Sequence, residues 1–265
     1  MSLALANPAA RRQASPVMQP MPTLPFLAPM RPRNVPEGGL KYWLALSAAS
    51  VLGCNTGDLF AGAFGFLDGL PLLAAGLGAA LWMEKRASRP TQAFYWAAII
   101  LVRTAATNLA DFTGQTLGMG TFAVLAALLG LTFLKREGAM RGQNALPSVG
   151  AMYWLRMLIA GTLGTALGEF SSFASGLGPQ IASLTLFGGV AALLLARRFG
   201  MLGATLSFWA TVIAIRAAGT SLGDLAARDI GLASSVAFAA IVLLGVAFFK
   251  APKPAPDFAA RAALA

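Results

Sequence analysis

From residue 41 to residue 250 the chain alternates apolar stretches with short turns. The stretches run about 42–62, 68–83, 94–114, 119–134, 152–173, 179–196, 205–226 and 232–249. Apolar residues run continuously within each one instead of alternating, which predicts helices and argues against transmembrane strands. The odd-numbered stretches approach the ~20 residues that cross a hydrocarbon core. The even-numbered ones are shorter and span it with tilt or a thinned bilayer.

Polar positions interrupt this pattern at one repeated register. An aromatic pair opens each odd stretch, and an acid follows its Trp after 15 residues: Trp43 to Asp58, Trp96 to Asp111, Trp154 to Glu169 and Trp209 to Asp224. Tyr42, Tyr95, Tyr153 and Phe208 precede the four tryptophans. Gly65, Gly118, Gly176 and Gly231 each follow an acid by seven residues. Four copies of a two-helix unit predict an all-α integral membrane protein with eight transmembrane helices in four parallel repeats, 41–90, 91–145, 150–200 and 204–250. Arg103 and Arg216 stand eight residues before the acid in the second and fourth copies only, which divides the region into halves 41–140 and 152–250.

Composition agrees with a membrane setting. Of the 265 residues 57% are hydrophobic and 11% charged, with a mean hydropathy of +0.69, whereas a soluble domain carries about 25% charged residues. The net charge of +10 does not read as a nucleic-acid site, because the basic residues lie between the apolar stretches instead of along one face. Arg11, Arg12, Arg31, Arg33, Lys41, Lys85, Arg86, Arg89, Lys135, Arg136, Arg141, Arg197, Arg198, Lys250, Lys253 and Arg261 all fall on one side of an eight-span topology, and the opposite turns hold only Arg228. The positive-inside rule places that side, and both termini, in the cytoplasm. Tryptophans at the starts of the odd stretches, with Trp82, suit the cytoplasmic interfacial belt. Residues 1–40, rich in Pro and Arg, are expected to form a disordered cytoplasmic tail, and 251–265 a short second one.

The candidate chemistry lies with the acids. At 1.5 Å per residue each acid sits about 22 Å from its Trp, in the outer half of a core about 30 Å thick. Five residues and one residue before each acid stand Gly53 and Gly57, Ala106 and Ala110, Gly164 and Gly168, Gly219 and Gly223. This small-xxx-small pattern lets helix backbones approach, so the odd helices are expected to pack centrally with their acids inward. The even helices, taken as lacking polar residues, form the outer ring. Asn55, Asn108, Thr107, Thr165 and Thr220 add neutral oxygens near Asp58, Asp111, Glu169 and Asp224, a donor set for a hard cation or a proton relay. Cys54, where the other copies have Thr, reads as a small packing residue, and Asp68 and Asp229 as solvated turn residues. The chain has no His and a single Cys, which excludes imidazole metal sites, His bases and an internal disulfide. No motif calls for an organic cofactor or an enzyme mechanism.

Two functions remain open. The chain is a transporter or channel for a small cation or proton, or it is a non-transporting scaffold or sensor whose acids form a structural polar core. In the second, Arg103 and Arg216 are counter-charges supplied between helices, and Arg156 snorkels to the interface.

The unit also resembles a bacterial family of multi-span membrane-anchored proteins described only as uncharacterised. The resemblance rests on Tyr95-Trp96 through Asp111 with Leu117-Gly118-Met119-Gly120, and on Tyr153-Trp154 through Gly168-Glu169 with Gly176-Leu177-Gly178. It covers about 41–250, with departures at Gly65-Phe66-Leu67, at Phe208 and at Gly231-Leu232-Ala233. It implies an eight-span bacterial inner-membrane protein and no particular activity.

Overall fold

A computed structural model describes residues 28–134, 140 and 145–249. Among the described residues the secondary structure is helical throughout. The eight α-helices are α1 (Leu40–Phe64), α2 (Leu70–Arg86), α3 (Ala93–Leu117), α4 (Gly120–Thr132), α5 (Ala151–Glu169), α6 (Gly178–Arg198), α7 (Ala204–Ile230) and α8 (Leu232–Phe248). Each occupies one of the expected apolar stretches. A π-helical turn, Phe170–Ala174, extends α5 just past its acid. Helices α1, α3, α6 and α7 are long and apolar enough to cross a membrane. The acid-bearing helices run on to Gly65, Gly118, Gly176 and Gly231, all at positive φ, between 52° and 83°. Glycine adopts that backbone without a steric penalty, so it ends the helix and lets the chain turn back.

Helices α1, α3, α5 and α7 form a closed inner ring, each packing against two neighbours. The outer helices are displaced by one step. Helix α2 packs on α3, α4 on α5, α6 on α7, and α8 closes the circle on α1. The same contact recurs at each step of the inner ring. The small residue five before one acid faces the residue eight before the next: Gly53 meets Arg103, Ala106 meets Gly161, Gly164 meets Arg216, and Gly219 meets Ser50. The fit is close enough that a Cβ at Gly164 would lie 2.6 Å from Arg216 Cβ and 2.7 Å from the Ile213 carbonyl oxygen. Gly57 against Thr107 and Gly168 against Thr220 repeat the interlock one turn further along.

Three expectations change. The tryptophans that open the odd helices do not form a lipid-facing belt, since Trp43, Trp96, Trp154 and Trp209 are all buried and only Trp82 is exposed. Each indole lies against the first aromatic of the preceding copy: Tyr42 with Trp96 at 6.0 Å, Tyr95 with Trp154 at 5.7 Å, Tyr153 with Trp209 at 5.7 Å and Phe208 with Trp43 at 5.5 Å. Burial of these rings closes the bundle at its basic end. Arg156 does not snorkel either. It is 2% exposed, its Nε and Nη2 donate to Thr132 Oγ1 and the Thr132 carbonyl at 3.1 and 2.7 Å, and it stacks over Phe133. The end of α4 offers carbonyls without helical partners, which is where a guanidinium is best held. Finally, the even helices present large apolar side chains outward (Leu72, Leu128, Leu184, Ile241) but also bury Glu84, Thr121, Ser183 and Ser235 on their inner faces.

Residues 28–39, within the stretch expected to be a disordered tail, pack across the basic end; residues 1–27 and 250–265 lie outside the described residues. The Met30 amide donates to the Val149 carbonyl at 2.8 Å. Arg31 reaches the Ala87 carbonyl at 2.8 Å and the Lys85 carbonyl, and Asn34 donates to Glu84 Oε1 at 2.5 Å.

Candidate ion site

The inner ring stacks polar residues in three layers, because each layer is one register of the recurring unit. The layer at the basic end is a cluster of tyrosine hydroxyls. Tyr95 and Tyr153 are joined at 2.5 Å, Tyr42 and Tyr95 at 3.1 Å, and Tyr42 and Tyr153 at 3.4 Å. Phe208 fills the fourth place with a ring that stacks on Tyr42. The rings are buried, and the hydroxyls satisfy one another, as buried polar groups must.

The second layer is Arg103 and Arg216, both fully buried. They differ in direction and in partners. Arg216 faces the acids and Cys54. Its Nη1 donates to the Ser50 carbonyl at 2.6 Å, its Nε to Thr165 Oγ1 at 2.8 Å, and its Nη2 to Thr107 Oγ1 and the Arg103 carbonyl. One side chain on α7 thus binds α1, α3 and α5. Arg103 faces the tyrosines, with only a 3.8 Å contact from Nη2 to Met157 Sδ, and its Nε and Nη1 have no hydrogen-bond partner.

The third layer is the acids. Asp58, Asp111, Glu169 and Asp224 are all half-buried, within electrostatic reach of one another at the end opposite the tyrosines. They fall into two pairs. The carboxyl groups of Asp111 and Glu169 lie next to each other. Asp58 and Asp224 converge with Cys54, with one donor atom from each lying within 4.8 Å of the others. The Cys54 thiol donates to Asp224 Oδ1 at 3.8 Å. Among the described residues no ion pair joins Arg103 or Arg216 to any of these acids. Several buried oxygens nearby also have no hydrogen-bond partner: Asn55 Oδ1, Asn108 Oδ1, Thr56 Oγ1, Thr220 Oγ1 and Asp224 Oδ2.

The four acids expected to converge are therefore together, and Asn55, Asn108 and Thr220 retain oxygens able to accept a further partner. Thr107 and Thr165 are engaged differently from the expectation, since their hydroxyls hold the Arg216 guanidinium. Cys54, expected only to fill space, has its sulfur beside two carboxylates. Sequence reasoning also passed over the tyrosine cluster and Glu84. The tyrosines were legible as a repeated register one residue before each Trp. Glu84 carries no repeat signal, and only the fold brings Asn34 and Arg31 to it. No family model, curated protein or solved structure matches the chain.

Proposed function

We propose that the chain is a multi-pass bacterial inner-membrane protein of eight spans in four parallel repeats, with both termini in the cytoplasm. We further propose that it binds and moves a small cation or a proton through Asp58, Asp111, Glu169 and Asp224. The carrying observation is that the acids gather at one mouth of the bundle, half-buried, with unpartnered oxygens beside them and no arginine paired to them. Four neighbouring carboxylates repel one another unless a cation or protons reduce their charge. Arg216 lies behind them and offsets part of that charge without occupying the site. The tyrosine and arginine layers close the other end, so the arrangement is an outward-facing one in which the ion enters from the acid side.

A structural polar core is the second reading, and one observation favours it: Arg216 ties α7 to the three other inner helices. The two readings separate by experiment. Purified protein is placed in liposomes and monovalent, divalent and proton gradients are applied. Transport predicts a flux that Asp111→Asn and Asp224→Asn abolish while both variants elute as folded protein in detergent. No flux under any gradient, with the Asn variants merely melting earlier, would overturn the transport reading in favour of the structural one.

A further inference from the structure

The four acids are not equivalent, and the difference lies at Cys54. In the other three copies this position is Thr, and two of those threonines hold Arg216. Cys54 instead points its sulfur at Asp58 and Asp224, with the three donor atoms inside 4.8 Å. A four-coordinate ion with ligands near ~2.2 Å holds its donors about 3.6 Å apart, so small side-chain rotations bring these three onto one ion.

A fourth donor borders the space beside Cys54. Asn55 is fully buried, and its Nδ2 is held by Ser235 Oγ on α8, while its Oδ1 has no partner. That oxygen borders the space over Gly223, the residue next to Asp224. A Cβ there would lie 2.9 Å from Asn55 Oδ1 and 3.5 Å from Cys54 Sγ. The amide is thus pinned by its nitrogen, with its unpartnered oxygen bordering the same space over Gly223 as the Cys54 sulfur. Asp224 Oδ2 is also buried and unpartnered.

We propose that Cys54, Asp58, Asp224 and the Asn55 carbonyl oxygen form a binding site for a divalent transition-metal cation of borderline softness, the class of Mn²⁺, Fe²⁺ and Co²⁺. This rests on the cation reading above and narrows it. One thiolate with carboxylates and a carbonyl is softer than a calcium or magnesium site and harder than the sulfur- and imidazole-rich sites of copper or structural zinc. On binding, the Cys54 S–H bond breaks, its proton passes to solvent, and the sulfur electron pair forms the bond to the metal. No oxidant or reductant takes part.

The probe is Co²⁺ added to purified, metal-free protein in detergent. Binding should produce a sulfur-to-cobalt charge-transfer band in the near ultraviolet at about one ion per chain, with release of a proton. Cys54→Thr, which installs the residue of the other copies, should abolish the band and weaken Co²⁺ binding at least tenfold. Asp224→Asn should also weaken it, and Asp229→Asn, exposed in the last turn of α7, should leave it unchanged. Gel filtration confirms that each variant is folded. Wild-type protein that binds Co²⁺ without the band, or a Cys54→Thr variant that binds as tightly as wild type, would overturn the proposal. Flux of monovalent cations or protons with no cobalt band would sink it while leaving the transport reading standing. A cobalt band in protein that moves no ion would do the reverse.

Discussion

At the scale of single residues, the two buried arginines show how little composition says about energetics. Both stand at the same register, yet Arg216 makes four hydrogen bonds and Arg103 makes one weak contact to sulfur. Hydrogen bonds to a charged group contribute about 1.5–3 kcal/mol each, and a buried donor left without a partner costs about 1–3 kcal/mol. Arg216→Met should therefore lower stability by about 3 kcal/mol or more, since it frees Ser50, Thr107 and Thr165 from a shared partner. Arg103→Met, which removes donors that lack acceptors and keeps the apolar stem, should be neutral or stabilising. Thermal unfolding of both variants in one detergent checks the contrast, and equal losses would refute it. Glu84 offers a pH test at the end of α2, beyond the apolar stretch 68–83. Burial pushes its carboxyl up, but hydrogen bonds from Asn34, the Arg31 amide and Lys85 outweigh burial and hold it below the usual range. A depressed folded-state value gives stability that is present above the unfolded-state pKa and is lost as pH falls through the folded-state value. The contacts of residues 28–39 should loosen on acidification below about pH 4.5, read as faster amide exchange in that segment. Glu84→Gln should show little of that pH dependence.

At the scale of the helix, the apolar pattern and the glycine register made the elements legible. The stretches, their order and the central packing of the odd helices follow from spacing alone, because a helix with small residues at two successive turns has one close-packing face. The one-step displacement of the outer ring was not legible. No residue marks α2 as packing on α3, and that choice is settled by side-chain shapes along whole helices. The same limit hid the use of Thr107 and Thr165, since a hydroxyl four residues before an acid serves equally well as an ion ligand or as an arginine acceptor. The close faces make a quantitative prediction. Gly164→Ala and Gly168→Ala would bring a Cβ within 2.7 Å of backbone carbonyls on α7, and overpacking of this kind costs about 1–3 kcal/mol. Gly188→Ala on α6, where nothing lies within 4 Å, should instead raise stability by about 0.5–1 kcal/mol through helix propensity. Melting temperatures of the three variants test the ranking.

At the scale of the molecule, the ring has a direction. Basic residues line one end and acids the other; on the acid side Asp68 lies in the turn after α1, while Asp229, expected in a turn, is exposed in the last turn of α7. In a Cys54→Thr background, single cysteines at Asp68 and Asp229 should react with a membrane-impermeant thiol reagent added outside intact cells. Cysteines at Arg89 and Gly200 should react only after the membrane is opened, and the converse pattern would invert the topology. The displacement of the outer helices has one more consequence. Because α8 packs on α1, the first and last helices are neighbours, and Lys41 Nζ donates to the Phe249 carbonyl at 2.8 Å. The ring has no intrinsic first helix, since each inner helix packs against two neighbours in the same way. A circular permutant that joins residue 249 to residue 28 through a flexible linker, and opens the chain between residues 140 and 145, keeps the packing of residues 28–39, every described helix and every step of the ring. The permutant should insert, elute with the native chain and melt within a few degrees of it.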